Sequence, residues 1–207
     1  MNRRLAALTI ALTSLAAGGC IPLMVGGVAT GVLIADDRRS SGTVIDDQNI
    51  ELRVANDIST QFGKVSHANA TSYNRVVLLT GEASTEQVRA GIEKITRAQA
   101  GVRHVQNEMQ IAASSSLTAR SNDSFITGRL KGRIVDNQAR GKDPRVQANH
   151  VKVVSEAGVV YLMGLLTAAE ADQAAEIART TSGVTRVVRV FELIKRPPVE
   201  AAATPPK

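Results

Sequence analysis

The chain contains the same apolar pattern twice, and this repeat constrains the fold more than any other feature. The segment 75–81 (RVVLLTG) matches 158–164 (GVVYLMG), and 100–105 (AGVRHV) matches 182–187 (SGVTRV). Upstream, apolar residues recur at the same four-residue step: Ile50, Val54 and Ile58 in one copy, and Ile126, Leu130 and Ile134 in the other. Repetition of this kind is typical of duplicated structural units.

Each copy predicts the order helix, strand, strand, helix, strand. The four-residue step indicates an amphipathic first helix, and the continuous apolar runs indicate buried strands. In the first copy we expect strands at 65–71, 76–80 and 102–111 and a second helix at 85–98. In the second copy the matching strands are 145–154, 159–163 and 184–194, with a helix at 168–181. The prediction is an α+β fold in which two helices cover a three-stranded mixed sheet in each copy.

Polar residues and glycines predict where these elements begin and end. Asp46-Asp47 and Asn122-Asp123 are expected as N-caps of the two first helices. Ser84 or Thr85 and, in the second copy, Thr167 are expected to cap the second helices. We expect Gly81 and Gly164 to end the second strands, and Gly101 and Gly183 to close the second helices.

The N-terminus predicts export and a lipid anchor. Arg3 and Arg4 precede a short apolar run, and small residues lead to Cys20, which is the single cysteine of the chain. This pattern resembles a lipobox, so 1–19 is predicted as a lipoprotein signal peptide and Cys20 as the lipidated residue. Residues 20–42 would then form an apolar tether. Since lipid occupies Cys20, we expect no disulfide in the mature chain.

A membrane-spanning helix is the alternative for this region. No charged residue occurs from Leu5 to Ala35, which is long enough to cross a bilayer. However, Pro22 and five glycines interrupt the stretch, so we favour a tether that lies on the membrane or packs on the folded body. Ile21 follows the cysteine, whereas lipoproteins kept in the inner membrane commonly have aspartate there. The lipobox resemblance therefore implies the outer membrane, with the body in the periplasm.

Composition and charge narrow the class of partner. The chain has no Trp, three Phe and two Tyr, so stacking on nucleic-acid bases is almost unavailable, and we expect no nucleic-acid partner. Of the net charge of +6, residues 120–196 contribute +5, from 13 basic and 8 acidic side chains. An anionic partner is therefore expected at the second copy.

The repeated unit resembles the BON domain, through its element order, its V-x-L-x-G strand end and its G-V strand start. Two such units after a lipobox cysteine resemble the DolP (YraP) family of outer-membrane lipoproteins. Segments 39–47, 122–127, 151–153 and 161–167 carry the likeness most clearly. The implied organisation is a first BON domain at 43–112, a linker at 113–121 and a second BON domain at 122–196. The tail at 197–207 has four prolines among alanines, and this composition predicts a disordered extension. The resemblance implies roles in outer-membrane integrity, binding of anionic phospholipid and enrichment at the division site.

The first helix of the second copy has an outward face that could contact lipid. At about 100° per residue, Ile126, Leu130 and Ile134 share the core face. Phe125, Gly128, Gly132 and Val135 lie opposite, with Arg129 and Arg133 along one edge and Lys131 along the other. An apolar strip bordered by cations is typical of a helix in a headgroup layer.

The matching helix of the first copy provides an internal comparison. Its outward side has Leu52 and Asn56, bordered by Glu51 and Asp57 rather than by basic residues. We therefore predict that the second copy binds the membrane and that the first does not.

The family resemblance places the lipid contact on the same helix. It adds Leu130 and Ile134, which the periodicity assigns to the core, to the contacts at Phe125 and Val135. The predicted phospholipid-binding residues are therefore Phe125, Gly128, Arg129, Leu130, Lys131, Gly132, Arg133, Ile134 and Val135, and the expected ligand is a phosphatidylglycerol-like lipid.

Simpler interpretations of this helix stay open. Phe125 would fold back on the start of its own helix, Val135 would pack against the first domain, and the basic edge would be merely solvated. Alternatively, the face docks a protein, such as the outer-membrane assembly machinery or another envelope partner, which would make the protein an adaptor.

No set of residues predicts catalysis. His67, His104 and His150 are scattered without metal-ligand spacing, and no glycine-rich loop follows a strand in a phosphate-binding pattern. The acidic pairs at 36–37 and 46–47 lack the alternating ligands of a calcium loop. We expect a non-enzymatic protein without a metal or another cofactor.

Overall fold

A computed structural model describes residues 37–113, 115–141 and 146–195. The predicted signal peptide, Cys20, residues 20–36 of the tether and the tail at 197–207 lie outside the described residues, so those predictions stay predictions.

The first copy folds in the predicted order. Its elements are α1 (Ser41–Phe62), β1 (Ser66–Tyr73), β2 (Val76–Ala83), α2 (Glu86–Arg97), β3 (His104–Asn107) and β4 (Gln110–Ile111). β1 pairs antiparallel with β2, whereas β3 and β4 pair with β2 in parallel, so the sheet is mixed. The third strand predicted at 102–111 is interrupted at Glu108 and Met109, and the Met109 side chain is buried in the core.

The second copy repeats this arrangement. It consists of α3 (Leu117–Ala139), a short 3₁₀ helix (Ala148–His150), β5 (Val151–Glu156), β6 (Val159–Leu166), α4 (Ala168–Arg179) and β7 (Arg186–Leu193). β5 pairs antiparallel and β7 parallel with β6. The α+β prediction is confirmed. α3 occupies part of the segment predicted as a linker, and the 3₁₀ helix lies where the strand was expected to begin.

The predicted N-caps of the first helices are wrong. Ser40 caps α1 through a hydrogen bond from the Thr43 amide, and Ser116 caps α3 through one from the Ala119 amide. Each helix therefore begins several residues before the expected aspartate. The caps of the second helices are confirmed at Thr85 and at Thr167, which forms a capping box with Glu170.

The displaced aspartates instead hold the hairpin turns of the sheets. Asp47 is buried and accepts hydrogen bonds from the amides of Asn74 and Arg75 at 2.8 and 2.7 Å. Asp123 is buried and accepts from Ala157 and Gly158 in the second copy, both at 2.9 Å. These two-residue turns have positive φ, and their amides point away from the hairpin. The carboxylates satisfy those amides and connect each first helix to its sheet.

The prediction that Gly81 and Gly164 end their strands is wrong. Both lie inside a strand. A Cβ atom at Gly81 would collide with the His67 carbonyl oxygen of β1, and one at Gly164 would collide with the His150 carbonyl oxygen at the end of the 3₁₀ helix. Glycine is therefore needed for close backbone approach rather than for a turn.

Each sheet packs one face against its own two helices. In the first copy, Val77 and Leu79 of β2 meet Ile50, Val54 and Ile58 of α1 in one cluster. In the second, Val160 and Leu162 of β6 join Ile126, Leu130 and Ile134 of α3. The repeated apolar step thus marks the core face of each first helix.

The other faces of the two sheets pack against each other. Tyr73 and Leu78 of the first sheet form a buried cluster with Tyr161 and Met163 of the second, and Val76, Val154, Val159, Leu165, Val188 and Val190 surround it. The result is four layers, with helices outside and two sheets inside. Because β2 and β6 are covered on both faces, β6 is apolar along most of its length and β2 begins with a continuous apolar run, Val76–Leu79.

A short segment before α1 connects the two copies. Arg38 forms a bidentate pair with Glu170 at 2.7 and 2.8 Å and donates to the Leu165 carbonyl. Arg39 pairs with Asp37 and Asp47, and its guanidinium lies 4.0 Å from the centre of the Tyr73 ring. The entry to the first copy is therefore fixed to the second.

The Arg38–Glu170 pair makes stability depend on pH. Burial would raise the pKa of Glu170, but hydrogen bonds from Arg38 and Thr167 outweigh it and lower that pKa from 4.5 to about 2. Ionised Glu170 therefore stabilises the fold fully above pH 4.5, and this contribution disappears as the pH falls towards 2. We expect Arg38→Ala to lower the free energy of unfolding by about 1–3 kcal/mol at pH 7, the range for losing hydrogen bonds to a charged, partly buried group.

Urea unfolding of the two proteins from pH 7 to pH 2 measures this effect, and the difference between them should shrink below pH 4.5. Arg189→Ala is the matched control, because its pair with Asp172 is exposed and contributes less than about 1 kcal/mol. A difference that persists unchanged at low pH would contradict the assignment.

Candidate functional site

Helix α3 presents one face to the core and the opposite face to solvent. Ile126, Leu130 and Ile134 are at most 1% exposed and pack in the core of the second copy. Leu130 and Ile134 therefore cannot contact a lipid in this structure, and their place in the predicted contact set is corrected. The helical period assigns them to the buried stripe, and the structure agrees with the period rather than with the family resemblance.

The outward face is apolar and open, as the helical projection predicts. Phe125 is 70% exposed and Val135 is 52% exposed. Phe125 is thus not folded onto the start of its own helix, and Val135 is not packed into the first copy. A Cβ atom at Gly128 or Gly132 would meet nothing within 4 Å, so packing within the described residues does not require either glycine. We call Phe125, Gly128, Gly132 and Val135 the α3 ridge.

The two arginines beside the ridge bind the end of helix α4. Arg129 donates to the Ser182 carbonyl at 2.9 Å. Arg133 donates to the Ile177 carbonyl at 2.8 Å and to the hydroxyls of Thr180 and Thr181 at 3.0 and 2.7 Å. These interactions hold both guanidinium groups where the negative end of the α4 dipole favours cations.

These contacts leave the positive charge of the edge uncompensated. Within the described residues, the acceptors of Arg129 and Arg133 are neutral, and no carboxylate pairs with either side chain. Lys131 is exposed on the other edge of the ridge. A guanidinium has five N–H donors, so both arginines keep donors for an anion.

One charged residue of this face was missed by the sequence reasoning. Asp136 lies one position after Val135, is exposed, and pairs with Arg140 at 2.9 Å. The same 100° projection places Asp136 on the outward face, so the signal was present in the sequence. The pairing with Arg140 compensates its charge at the C-terminal end of the ridge.

Helix α1 shows which of these features belong to the fold and which are special to α3. Arg53 of α1 donates to the Ala100 carbonyl at 2.9 Å, as Arg129 does to Ser182 in the second copy. Asp57, seven residues after Ile50, takes the place of Arg133 and accepts from Gln99. The contact of Arg129 is therefore structural and common to both copies. The positive charge of Arg133 is found only in the second copy, because the first copy has the negative Asp57 at that position.

Two further features of the described residues bear on the site. They contain no group of three or more His, Cys, Asp or Glu side chains that could hold a metal ion. None of the helices in 37–113, 115–141 or 146–195 has both the length and the apolar character needed to cross a membrane.

Comparison with known proteins identifies relatives over most of the chain. The BON domain family matches residues 46–113 and 122–195. Outer membrane lipoprotein DolP of Haemophilus influenzae is 35% identical over 178 residues, which are 85% of this chain and 89% of that protein. The 21 kDa hemolysin of Actinobacillus pleuropneumoniae is 35% identical over 161 residues, 77% of this chain and 80% of that protein. The family and the lipoprotein relative point to a non-catalytic envelope protein.

One solved structure is similar at a much lower level. The C-terminal domain of CdsD, the structural protein of the type III secretion system of Chlamydia trachomatis, is 15% identical with a TM-score of 0.28. The alignment covers 72% of this chain and 67% of that chain.

The glycines of the α3 ridge should reduce the stability of the fold. Because a Cβ atom at Gly128 or Gly132 meets open space, Gly128→Ala and Gly132→Ala should each raise the free energy of unfolding by up to about 1 kcal/mol. Chemical denaturation of the single variants measures this gain. Gly91→Ala in α2 is the matched control, because its Cβ would lie 2.8 Å from the Phe62 ring and should give no such gain. Loss of stability at both ridge positions would show that the glycines serve packing.

Proposed function

The chain belongs to the DolP family of outer-membrane lipoproteins with two BON domains, and from this premise we propose that it binds anionic phospholipid through α3 and thereby supports outer-membrane integrity. The ligand class is a phosphatidylglycerol-like lipid, and the site is the α3 ridge with Arg129, Lys131 and Arg133. The protein acts as a binding module, without a catalytic step.

The exposure of Phe125 beside uncompensated cations is the observation that supports this proposal most directly. Transfer of a Phe side chain from water to the acyl boundary contributes roughly 1.5–3 kcal/mol. Each basic residue near an anionic surface adds about 1 kcal/mol. Together these contributions favour adsorption to anionic membranes, with a smaller attraction to neutral ones.

The arrangement of donors suits a phosphate group. Arg129 and Arg133 are held by carbonyl and hydroxyl acceptors, so binding requires little further ordering of their side chains. Their remaining N–H groups can donate to phosphate oxygens in charge-assisted hydrogen bonds. Gly128 and Gly132 have no side chain, so the space above them can hold acyl chains beside Phe125. This would explain why glycine is present where packing does not require it.

The lipid anchor would supply the rest of the affinity. We propose that Cys20 is lipidated and that the tether holds the folded body at the inner leaflet of the outer membrane. Confinement beside the bilayer raises the effective concentration of lipid at α3, so even a weak contact would be occupied. Enrichment at the division site would follow if anionic lipid is concentrated there.

Vesicle flotation tests the lipid contact. A soluble chain beginning at Asp36 keeps the contacts of Arg38 and Arg39 and should float with vesicles that contain phosphatidylglycerol. Phe125→Asp should reduce the bound fraction at least about tenfold, since it removes apolar burial and adds a repelling charge. Lys131→Glu should also weaken binding, and Leu52→Asp on α1 is the matched control, because Leu52 is equally exposed but lies on the first copy.

Lipid and salt dependence separate a membrane contact from protein docking. Binding should fall with rising ionic strength, because charges are screened over about 8 Å at physiological salt. Equal binding to phosphatidylcholine vesicles, or binding that survives both Phe125→Asp and Lys131→Glu, would refute the proposal. Salt-independent binding to a purified envelope protein that Phe125→Asp abolishes would favour the adaptor instead.

Mass spectrometry tests the anchor separately. The mature chain should begin at Cys20 and carry the mass of several acyl chains, because one chain alone holds a protein only marginally. Cys20→Ala should remove this mass and release the protein from the membrane fraction. An unacylated N-terminus in the wild-type chain would contradict the anchor without affecting the proposal for α3.

A further inference from the structure

A groove separates the first strands of the two sheets. β1 and β5 each pair with one neighbour and lie at an edge of their sheet. They run side by side, since Asn69 Nδ2 donates to Glu156 Oε2 at 3.3 Å and Lys152 Nζ donates to the Ser72 carbonyl at 3.1 Å. Between them is a groove of about 440 Å³, bounded by Ala55 of α1 and Thr127 of α3.

The hairpin turn of the first sheet determines which backbone groups of β1 face this groove. Tyr73 and Val76 flank a two-residue turn and are paired, so alternate residues from Tyr73 backwards bond to β2. Ala68 and Ala70 lie between those residues and direct their N–H and C=O groups away from β2. Ser72 has the same orientation, and its amide donates to Glu51 outside the sheet at 2.7 Å.

In the second copy, the free edge of β5 lies opposite that of β1. Glu156 and Val159 flank the equivalent turn, so Val153 and Ser155 direct their backbone groups away from β6. Ala68, Ala70, Val153 and Ser155 all line the groove. Two strand edges with available donors and acceptors therefore face one space, and no strand among the described residues pairs with either of them there.

The remaining edges have the features by which proteins discourage strand pairing. β3 and β4 contain four and two residues, and the eight residues of β7 include Arg186, Arg189 and Glu192. Short strands and charged side chains are common protection for exposed edges. The groove between β1 and β5 is instead lined by small, mostly uncharged side chains, which leave room for another backbone.

The groove is acidic at one end. Glu156 is half-buried there, and burial together with the charge of Glu82 raises its pKa. Glu82 is 7% exposed, and its Oε2 atom accepts no hydrogen bond within the described residues. A second cavity of about 450 Å³ shares Glu156 with the groove and is also lined by His67 and Arg120. A cation placed beside Glu156 would relieve the repulsion between the two carboxylates.

We propose that this groove binds an extended segment of a partner protein, which adds as a strand to β1 or β5 and places a Lys or Arg side chain beside Glu156. Backbone hydrogen bonds would supply the affinity, and the small lining residues would select small side chains on the segment. This site lies between the two copies and does not depend on the lipid contact of α3.

A peptide-display library tests the proposal on the detergent-solubilised full chain. Random peptides of eight residues, the length of β1, are selected and then synthesised. We expect selected peptides to contain a basic residue and to lack proline at inner positions. In the complex, the amides of Ala68 and Ala70, or of Val153 and Ser155, should exchange with deuterium at least about tenfold more slowly, because strand addition protects them.

Two proline substitutions target the backbone alone. Ala70→Pro and Ser155→Pro each remove an N–H that faces the groove, without removing a bond to β2 or β6. At least one should weaken peptide binding by about tenfold or more. Ala70→Ser is the matched control, because it keeps the N–H and should bind normally. Glu156→Gln should weaken binding of the peptides that contain Lys or Arg.

Three results of these experiments would contradict strand addition in the groove. Failure to enrich any peptide, protection of β7 instead, or binding unaffected by both prolines would overturn it. If a proline variant does not fold, the exchange pattern of the wild-type chain with bound peptide decides between the groove and any other site.

Discussion

The packing of the two sheets against each other is the constraint on which the rest of the structure depends. Each BON domain covers one face of its sheet with its own helices, which leaves a second apolar face. Leu78 of one sheet and Tyr161 and Met163 of the other bury these faces together. Burial removes apolar surface from water at roughly 25 cal/mol per Å². The contact therefore makes the two repeats one four-layer body.

In this four-layer arrangement, the helices and the strand edges form separate surfaces that can bind different partners. The helices lie outside, so the outward face of α3 is free to meet a membrane while its inner face completes the core. The strands β1 and β5 come side by side, so edges that would be separate in isolated domains line one groove. Duplication supplied two similar surfaces of each kind. The helix surfaces nevertheless differ, since Asp57 in the first copy occupies the position that Arg133 occupies in the second.

The same residue types have structural and binding roles at once. Arg129 has a counterpart in Arg53, so its contact with the end of α4 belongs to the fold. Its charge still contributes to the field beside Phe125, because its acceptor is a neutral carbonyl. The proposed lipid contact thus uses side chains that the fold already holds in place. Lys131 differs from them, because it extends from an exposed position beside the ridge.

The sequence alone determined the element order, the core stripes and the outward position of Phe125, because these follow from local periodicity. It misplaced the helix starts, since Asp47 and Asp123 resemble caps locally but bind hairpin turns that come more than 25 residues later. The tertiary structure alone decided how the sheets meet and that β1 and β5 share a groove. These contacts join residues that are far apart in the chain, and they depend on which apolar faces pack against each other. Local sequence patterns do not contain that information.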